Sequence, residues 1–450
     1  MFWQFGRRKK VEKKLSTEPR SKKVKLVMQP PRGMKDVLPE EQNRWRFLKK
    51  IINRNAEING YERIDTPIVE YASLFEKGTG EGTDVVEKEM FFVGRDGDSE
   101  EDALVLRPEA TPGVARAYIE YGMRTWAQPV QLFYTGPMFR YDRPQAGRLR
   151  QFYQFGFESI GSPDPATDAR LISMSYNIFK EMGLSQKIII KINTIGCAKC
   201  RPNIIEVLTN YYSRNEELLC DDCKRRLQTN PLRLLDCKEK SCQRLLSEAP
   251  QIIDNVCGAC KDHFKNVLEF LDEQEVPYDL DAHLVRGLDY YTRTTFEFIR
   301  ADDESRQNSL GGGGRYDDLI ELYGGQSTPA VGVSFGMERI IELLKREKIK
   351  IADEARVKVF VVQLGEAGKK QAVSVMDQLQ KEKIPSQAAL SKSTIKSQLK
   401  MADKLGARFA IIIGQKEAMD KTAIIRDMKE GIQEVVDQEI LIVKLKEKIK

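Results

Sequence analysis

Between residues 44 and 59 the apolar side chains Trp45, Leu48, Ile51, Ile52 and Ile58 recur at near-helical spacing, and Gly60 follows as a stop, which predicts an amphipathic helix. The next stretch changes character: Ile64, Ile68 and Val69 flank Pro67, so only an edge or interrupted strand is possible there. Strand-like runs follow at 103–106, 130–134, 151–158, 187–193, 294–299 and 330–335. They are too many, with too few helices between them, for a doubly wound parallel sheet, and an antiparallel α+β core is expected. Past residue 350 the pattern alternates, with VKVFVVQL, the amphipathic AGKKQAVSVMDQLQKEK and TIKSQLKMADKLG, then ARFAIIIG, TAIIRDM and QEVV. This predicts a small, separate α/β domain that begins near 351–356.

A chain of 450 residues suits roughly two to four domains. Hydrophobic residues make up 41% and charged residues 31%, and no stretch approaches the ~18 uninterrupted apolar residues of a membrane span. A soluble globular protein is therefore expected, with no membrane partner. The net charge of +6 is unevenly spread. Residues 1–28 hold ten basic and two acidic residues, residues 356–450 hold nineteen and twelve, and the middle is acidic. Such ends would suit a polyanion held peripherally while chemistry proceeds centrally; the competing reading is solvated charged faces. The opening MFWQFGRRKK has no apolar secretion segment and is richer in Lys than a transit peptide, so a cytoplasmic location is expected.

All eight cysteines fall within 197–260, as Cys197-x2-Cys200, Cys220-x2-Cys223, Cys237-x4-Cys242 and Cys257-x2-Cys260. Cysteines used as small core hydrophobes would be scattered. Two structural zinc sites of four thiolates each fit the arithmetic, with unligated thiols or a redox pair as the alternative, and the pairing is open. His263, three positions past Cys260, is read as an exposed helical histidine in preference to a ligand. A closed four-thiolate site has no position for water and would do no chemistry.

The chain has only two histidines, His263 and His283, and no G-x-x-x-x-G-K-[ST] loop, which leaves little for a His-based triad or a P-loop. Arginine is the natural substitute for holding phosphates, because its planar guanidinium binds oxyanions with two parallel hydrogen bonds. Arg140, Arg286 and Arg339 lie in YTGPMFRYDRPQAGRLRQFYQFGFE, LVRGLDYYTRTTFEF and PAVGVSFGMERI, each on or beside a strand-like run. Any one of them taken alone reads as a surface salt bridge.

The segments RPEAT at 107–111, FRYDRPQAGRLRQFYQFGFE, LVRGLDYY at 284–291, GGRYDDLIELYGG at 313–325 and GVSFGMERI at 332–340 resemble the histidyl-tRNA synthetases, a class II aminoacyl-tRNA synthetase family. They occur in that family's order, and the resemblance runs from about residue 31 to the C-terminus. It implies a class II antiparallel catalytic core at 29–194 and 275–350, an insertion domain with the cysteines at 195–274, and an α/β anticodon-binding domain at 356–450. The basic tail at 1–28 lies outside it and is expected to be a disordered extension with nonspecific RNA affinity.

The implied reaction joins L-histidine to ATP, brought with Mg2+, as histidyl-adenylate, and then transfers the histidyl group to the 3' end of tRNA(His). The resemblance assigns catalysis and ATP binding to Arg140, Arg286 and Arg339. It assigns the histidine α-amino group to Glu109 and Thr111 with Gln154, and the imidazole to Glu158 and Tyr291, with Ala110 and Tyr290 lining the same pocket and Arg140 and Arg286 reaching the substrate. Arg143 and Gln145 would meet the tRNA acceptor end. The run 311–314, ordinarily a flexible turn, would let backbone approach the substrate. A homodimer is implied through the segment 51–70. Ala110, Asp142 and Tyr153 depart from the family's usual glycine, glutamate and histidine. The alternative function is a catalytically inactive, synthetase-like regulatory subunit that binds histidine.

Overall fold

The computed structural model describes residues 28–80, 83, 85–94, 103–144, 147–237, 239–301, 308–351, 357–391 and 394–449. The basic tail, apart from Met28, lies outside them, as does Gln145. Residues 48–347 form one compact unit, and 348–450 form a second, to which 39–47 are assigned. Among the described residues, no helix is long and apolar enough to cross a membrane.

The expected first helix spans Gln42–Ile58. Trp45, Leu48, Ile51, Ile52 and Ala56 are buried along it, whereas Ile58 lies off that stripe and is exposed. The chain reverses at Gly60, whose φ of +75° is a left-handed conformation suited to glycine. In chain order the strands of the larger unit are β1 (Glu62–Arg63), β2 (Val69–Tyr71), β3 (Phe91–Val93), β4 (Leu104–Leu106), β5 (Val130–Phe139), β6 (Gln151–Ile160), β7 (Ile188–Thr194), β8 (Asp279–Leu280), β9 (Thr292–Arg300), β10 (Ser309–Arg315) and β11 (Ala330–Gly336). β2, β4 and β3 form a small antiparallel sheet. The other eight form the main sheet in the order β1-β5-β6-β11-β10-β9-β7-β8. Its six central strands are mutually antiparallel, and only the two-residue edge strands β1 and β8 pair in parallel. Pro67 interrupts the extended segment between β1 and β2, as its missing N–H requires.

The two faces of this sheet differ in kind because successive side chains of a strand point to opposite sides. On one face Phe133 lies across from Phe157, Phe157 from Val333, Phe155 from Phe335, and Phe296 from the backbone of Gly313. Phe155, Phe157, Phe296, Phe298 and Phe335 have no exposed surface. Their rings pack at centroid separations such as 5.1 Å for Phe155–Phe335 and for Phe298–Phe335. The helix Pro165–Glu181 covers this face and adds Phe179, 5.6 Å from Phe298. Asp164 caps that helix by accepting from the Ala166 N–H at 2.8 Å, and Pro165 occupies the first turn, where no N–H is needed. Burying one such aromatic side chain is worth about 1.5–3 kcal/mol.

The run at 311–314 is no turn. It is most of β10, a central strand between β11 and β9. Between β7 and β8 the chain leaves the sheet and folds into the helices Arg201–Ser213, Asp221–Thr229, Lys240–Leu246 and Gly258–Glu273. His263 lies on the last of these and is buried, against the exposed position expected for it. It stands where the helix meets the sheet, with Nε2 3.9 Å from Asp168 Oδ2. Burial, with Arg315 and Arg293 nearby, pushes its pKa down to about 3, so it is a neutral core side chain.

The smaller unit carries β12 (Val359–Gln363), β13 (Ser386–Ala388), β14 (Phe409–Ile413), β15 (Thr422–Asp427) and β16 (Gln433–Asp437) in the order β13-β12-β14-β15-β16. The first three are parallel, and β15 and β16 add antiparallel edges. The short edge strand β13 carries too few apolar residues to be read from periodicity.

A fully buried ion pair links helix to sheet: Arg315 Nε donates to both oxygens of Asp168, at 3.1 and 2.8 Å, and Nη1 donates to Asp317 at 2.8 Å. Its remaining nitrogen donates to the Ser162 carbonyl at 2.8 Å. Removing one partner of such a pair leaves a charge buried without compensation. Asp168→Ala should therefore lower unfolding stability by about 3–5 kcal/mol, read as the urea midpoint, with Asp168→Asn less severe. A change below about 1 kcal/mol in the alanine variant would refute that role.

Candidate active site

The second face of the main sheet carries buried apolar side chains, among them Leu132, Tyr134 and Met138, and between them glycines that leave room above the strands. Opposite residues on paired strands share a face, and here Gln154 lies across from Gly136 and Gly336, Gly156 from Tyr134 and Ser334, and Glu158 from Gly332. Gly314 lies across from Gly332, and Gly312 across from Ser334 and Glu297. The glycines clear space for long polar side chains that lie over the strands. A β-carbon on Gly332 would collide with the carboxyl group of Glu158, and one on Gly312 would sit 2.8 Å from Arg286 Nη1. At each of 311–314 the atom nearest to an added β-carbon is a backbone oxygen of β9 or β11.

Glu158 has no exposed surface, and its Oε1 accepts from Thr111 Oγ1 at 2.7 Å and its Oε2 from Tyr316 OH at 2.6 Å. Burial raises its pKa to about 8 in spite of those donors, and Glu109 nearby adds to the rise. Glu109 is also buried. It accepts from Tyr290 OH at 2.9 Å and Thr79 Oγ1 at 3.0 Å, and burial lifts its pKa while Arg140 opposes the rise. Thr111 opens the helix Thr111–Glu120, and Ala110, its buried N-cap, sits between the two polar groups. Tyr290 and Tyr291 stack obliquely with centroids 4.6 Å apart, and Tyr316 meets Tyr290 edge-on at 5.8 Å. Gln154 Oε1 is buried with no hydrogen-bond partner, an acceptor facing this group of side chains from β6.

The three arginines converge on the same face from different elements. Arg140 follows β5 directly, donates through Nε to the Pro108 carbonyl at 3.0 Å, and stands 5.7 Å over the Phe152 ring. Arg286, in the loop before β9, donates through Nη1 to Glu297 Oε1 at 2.9 Å, and Ser309 Oγ donates to the same oxygen at 2.7 Å. Burial works against its charge, but Glu297 more than offsets this and its pKa is raised. Arg339, in the first turn of the helix Met337–Arg346, donates to the carbonyls of Ser309 at 2.6 Å and Gly147 at 3.1 Å. Its pKa is lowered, first by burial and then by Arg148 and Arg140. Arginines gathered this closely, with the charge of Arg339 disfavoured by its neighbours, make a place for an anion.

Arg143 is exposed in the loop between β5 and β6, with its N–H donated to Asp142 Oδ1 at 2.6 Å. Asp142 also accepts from Arg148 at 2.9 Å. Tyr153 uses its backbone N–H on both oxygens of Glu338, each at 3.0 Å. Sequence reasoning did not single out Thr79, Tyr316, Glu297 or Ser309. Tyr316 lies inside the GGRYDD segment, and its place in that motif was the available signal.

Of the metal-ligating side chains, the eight cysteines form two groups of four: Cys197, Cys200, Cys257 and Cys260 in one, and Cys220, Cys223, Cys237 and Cys242 in the other. These are the groups of three or more potential ligands among the described residues. Carboxylates form no such group there.

An antiparallel sheet that holds arginines over a glycine-lined face, with a mixed-sheet anticodon-binding domain following in the chain, is the architecture of the class II aminoacyl-tRNA synthetases. The family described as histidyl-tRNA synthetase matches residues 33–340, and the one described as anticodon binding domain matches 358–448. The histidine–tRNA ligase of Dehalococcoides mccartyi is 44% identical over 424 residues, which cover 94% of this chain and all of that protein. That of Desulforamulus reducens is 43% identical over 92% of this chain and 98% of its own. The solved apo structure of the S. aureus histidyl-tRNA synthetase superposes with a TM-score of 0.78 at 32% identity, covering 93% of this chain and 99% of that one. The chain belongs to the histidyl-tRNA synthetase family.

The glycine-lined face yields a structural test. Gly332→Ala should force the Glu158 carboxyl off its two hydroxyl donors and cost about 1–3 kcal/mol of stability, measured by urea unfolding. Unchanged stability would mean that the space over Gly332 is not needed.

Proposed function

We propose that this chain is a histidine–tRNA ligase, which activates L-histidine with ATP to histidyl-adenylate and pyrophosphate and then transfers histidine to the 3' end of tRNA(His). The observation that carries the reading is the joining of two buried carboxylates to three convergent arginines on one glycine-lined sheet face. A histidine carboxylate oxygen forms the bond to the α-phosphorus, and the bond from that phosphorus to the bridging oxygen breaks. Pyrophosphate leaves with the electron pair. The substrate is the nucleophile, so the protein must align two anions and balance their charge.

Arg140 and Arg286 serve the α-phosphate and carboxylate, and Arg339 the far end of the triphosphate. Glu297 fixes the fork of Arg286, while Arg140 and Arg339 are held by hydrogen bonds to neutral carbonyls. Mg2+ bound to ATP would lower the charge of the leaving pyrophosphate. The α-amino group meets Glu109, Thr111 and the unpaired Gln154 Oε1, and Glu158 with Tyr291 reads the imidazole. A pocket built around a buried acceptor can reject analogues that lack the donor by about 10⁴–10⁵. The cysteines of the insertion are given no part in this chemistry.

The loop bearing Arg143 and Gln145 is assigned to the tRNA acceptor end. The domain at 356–450, net +7, is assigned to the anticodon arm, with binding that weakens as salt rises. Ile58, Ile68, Val69 and Tyr71 are exposed apolar side chains in and beside the segment 51–70, which supports a subunit interface there and a homodimer.

Amino-acid-dependent ATP–pyrophosphate exchange tests the reading directly. Exchange with histidine alone among the twenty amino acids is expected, and Arg286→Lys should lower turnover by about 10²–10³, because a point charge cannot replace the guanidinium fork. Histidine bound without exchange would establish the regulatory alternative instead.

The pH dependence of histidine binding tests Glu158. The bound carboxyl–imidazole pair holds one proton. With Glu158 raised to about 8 and a free imidazole near ~6.5, the separate partners also hold one between those values, and affinity is flat there. Above about 8 free Glu158 has lost its proton and binding must take one up, so affinity falls as pH rises. Below ~6.5 free histidine has gained a proton that binding must release, and affinity falls again. Calorimetric titration should find the upper limb lost in Glu158→Gln; an unchanged upper limb would move the titration to another group.

A further inference from the structure

The cysteines are the largest set of reactive side chains that the proposed reaction leaves unused. They form two sets that are nested in sequence, an outer one of Cys197, Cys200, Cys257 and Cys260 and an inner one of Cys220, Cys223, Cys237 and Cys242. Within each set all four sulfurs lie within 4.8 Å of one another. Cys197 and Cys200 are 3.7 Å apart, Cys200 and Cys260 3.9 Å, and Cys220 and Cys237 3.8 Å. Four thiolates at ~2.3 Å from a tetrahedral zinc ion stand about 3.8 Å from each other, whereas a disulfide would bring two of them to ~2.05 Å. Backbone N–H groups already point at two of the sulfurs: Cys257 donates to Cys200 Sγ and Cys220 to Cys242 Sγ, both at 3.2 Å.

The surroundings of both sets lead to the histidine pocket. Arg201, next to Cys200, donates through Nη2 to the carbonyls of Tyr291 at 3.0 Å and Asp289 at 3.3 Å. Gly196, next to Cys197, accepts from the Arg293 N–H at 2.7 Å, and the Arg293 carbonyl accepts from Ile195 at 2.7 Å. Asn230, in the stretch between Cys223 and Cys237, donates to Asp289 Oδ1 at 2.7 Å. Arg201, Asn230 and Arg233 line one small cleft together with Arg286, Asp289 and Tyr291. Between these two anchored points sits Tyr290, which holds Glu109.

We infer that the insertion holds two structural zinc ions, one per set, and that they fix Arg201 and Asn230 so as to position the segment 289–291 of the histidine pocket. The positional half of this rests on the pocket reading above; the metal half does not. Each ion closes a loop: the outer ties the start of the insertion to the first turn of its last helix, and the inner ties the segment that carries Asn230. Arg201 and Asn230 are positioning residues, since they act on the pocket through backbone and Asp289.

The test uses the full-length chain purified without a metal-affinity tag. Elemental analysis should give two zinc ions per chain, and Co2+ substitution should give the absorption of tetrahedral thiolate coordination. Cys260→Ser and Cys223→Ser should each lose one ion, and the histidine KM in pyrophosphate exchange should rise about tenfold or more with the ATP KM little changed. Arg201→Met should raise the histidine KM similarly while retaining both ions. Where a cysteine variant fails to fold, the wild-type chain stripped by a competing chelator and reloaded with zinc provides the same comparison.

Eight freely titrating thiols with no metal, or iron in place of zinc, would overturn the metal assignment. Two zinc ions with an unchanged histidine KM after their removal would overturn the coupling. Two zinc ions in a chain with no histidine-dependent exchange would refute the pocket reading and with it the coupling, and leave the metal assignment supported.

Discussion

A carboxyl group laid flat over a glycine sets the arrangement of this molecule's centre. Glu158 is wholly buried with hydroxyl donors from Thr111 and Tyr316, and only the missing side chain at Gly332 gives it room. Two hydrogen bonds to an ionised carboxylate contribute about 1.5–3 kcal/mol each. Taking the ion out of water costs several kcal/mol, and the second carboxylate at Glu109 adds to that cost. Desolvation wins, which is why the group's pKa lies near 8. A pocket in that state is incomplete, and a ligand that brings a ring N–H or a positive charge supplies what Thr111 and Tyr316 do not. Under the proposed function the same imbalance would make it selective, because a ligand without the donor would cover the carboxyl and offer it nothing.

The sheet makes this possible by dividing its labour between faces. One face carries phenylalanines that pack on the helix Pro165–Glu181; the other carries glycines at 136, 156, 312, 314, 332 and 336 beside its polar groups. Stability and chemistry are therefore set by alternate residues of the same strands. The buried Arg315–Asp168 pair joins the end of β10 to the covering helix. Arg315 ends the same strand whose Gly312 and Gly314 clear the polar face, and Tyr316 follows at once to reach Glu158. A shift of β10 along its neighbours would move the ion pair, the clearance and the tyrosine together.

Much of this was legible in the sequence. The strands over 130–139 and 151–160 announce themselves through alternating apolar residues, and Arg140, Arg286 and Arg339 stand out because they sit in glycine- and aromatic-bearing segments. The glycine run at 311–314 misleads. Local propensity reads it as a turn, and only pairing with β11 and β9, whose backbones approach too closely for side chains, makes it a strand. Tyr316 and Thr79 escape for a related reason, since each is defined by a carboxylate far away in sequence. His263 looks solvent-facing among the charged neighbours Lys261, Asp262 and Lys265, but the helix turns it toward the sheet. Contacts of this range leave no periodic trace in one chain.

The insertion between β7 and β8 poses a different physical problem. It has no strands of its own among the described residues, and two of its helices, Asp221–Thr229 and Lys240–Leu246, span fewer than three turns. Its interior, which includes Ile204, Leu208, Tyr212, Leu219, Leu227, Leu232, Leu234, Leu245 and Ile252, is continuous with the core beneath the pocket, and no sheet of its own frames it. Fixing each residue costs about 1–2 kcal/mol of conformational entropy, and small modules meet such a cost with cross-links more readily than with core. The cysteines sit where a cross-link would act strongly, at the start of the insertion, at the start of its last helix and around its shortest helices. Because the insertion leaves the sheet beside Arg293 and touches Asp289 and Tyr291, whatever orders it also orders one wall of the pocket. An insertion left to fluctuate would carry that wall with it, and the hydroxyl of Tyr290 could not hold Glu109 at a fixed distance from the arginines.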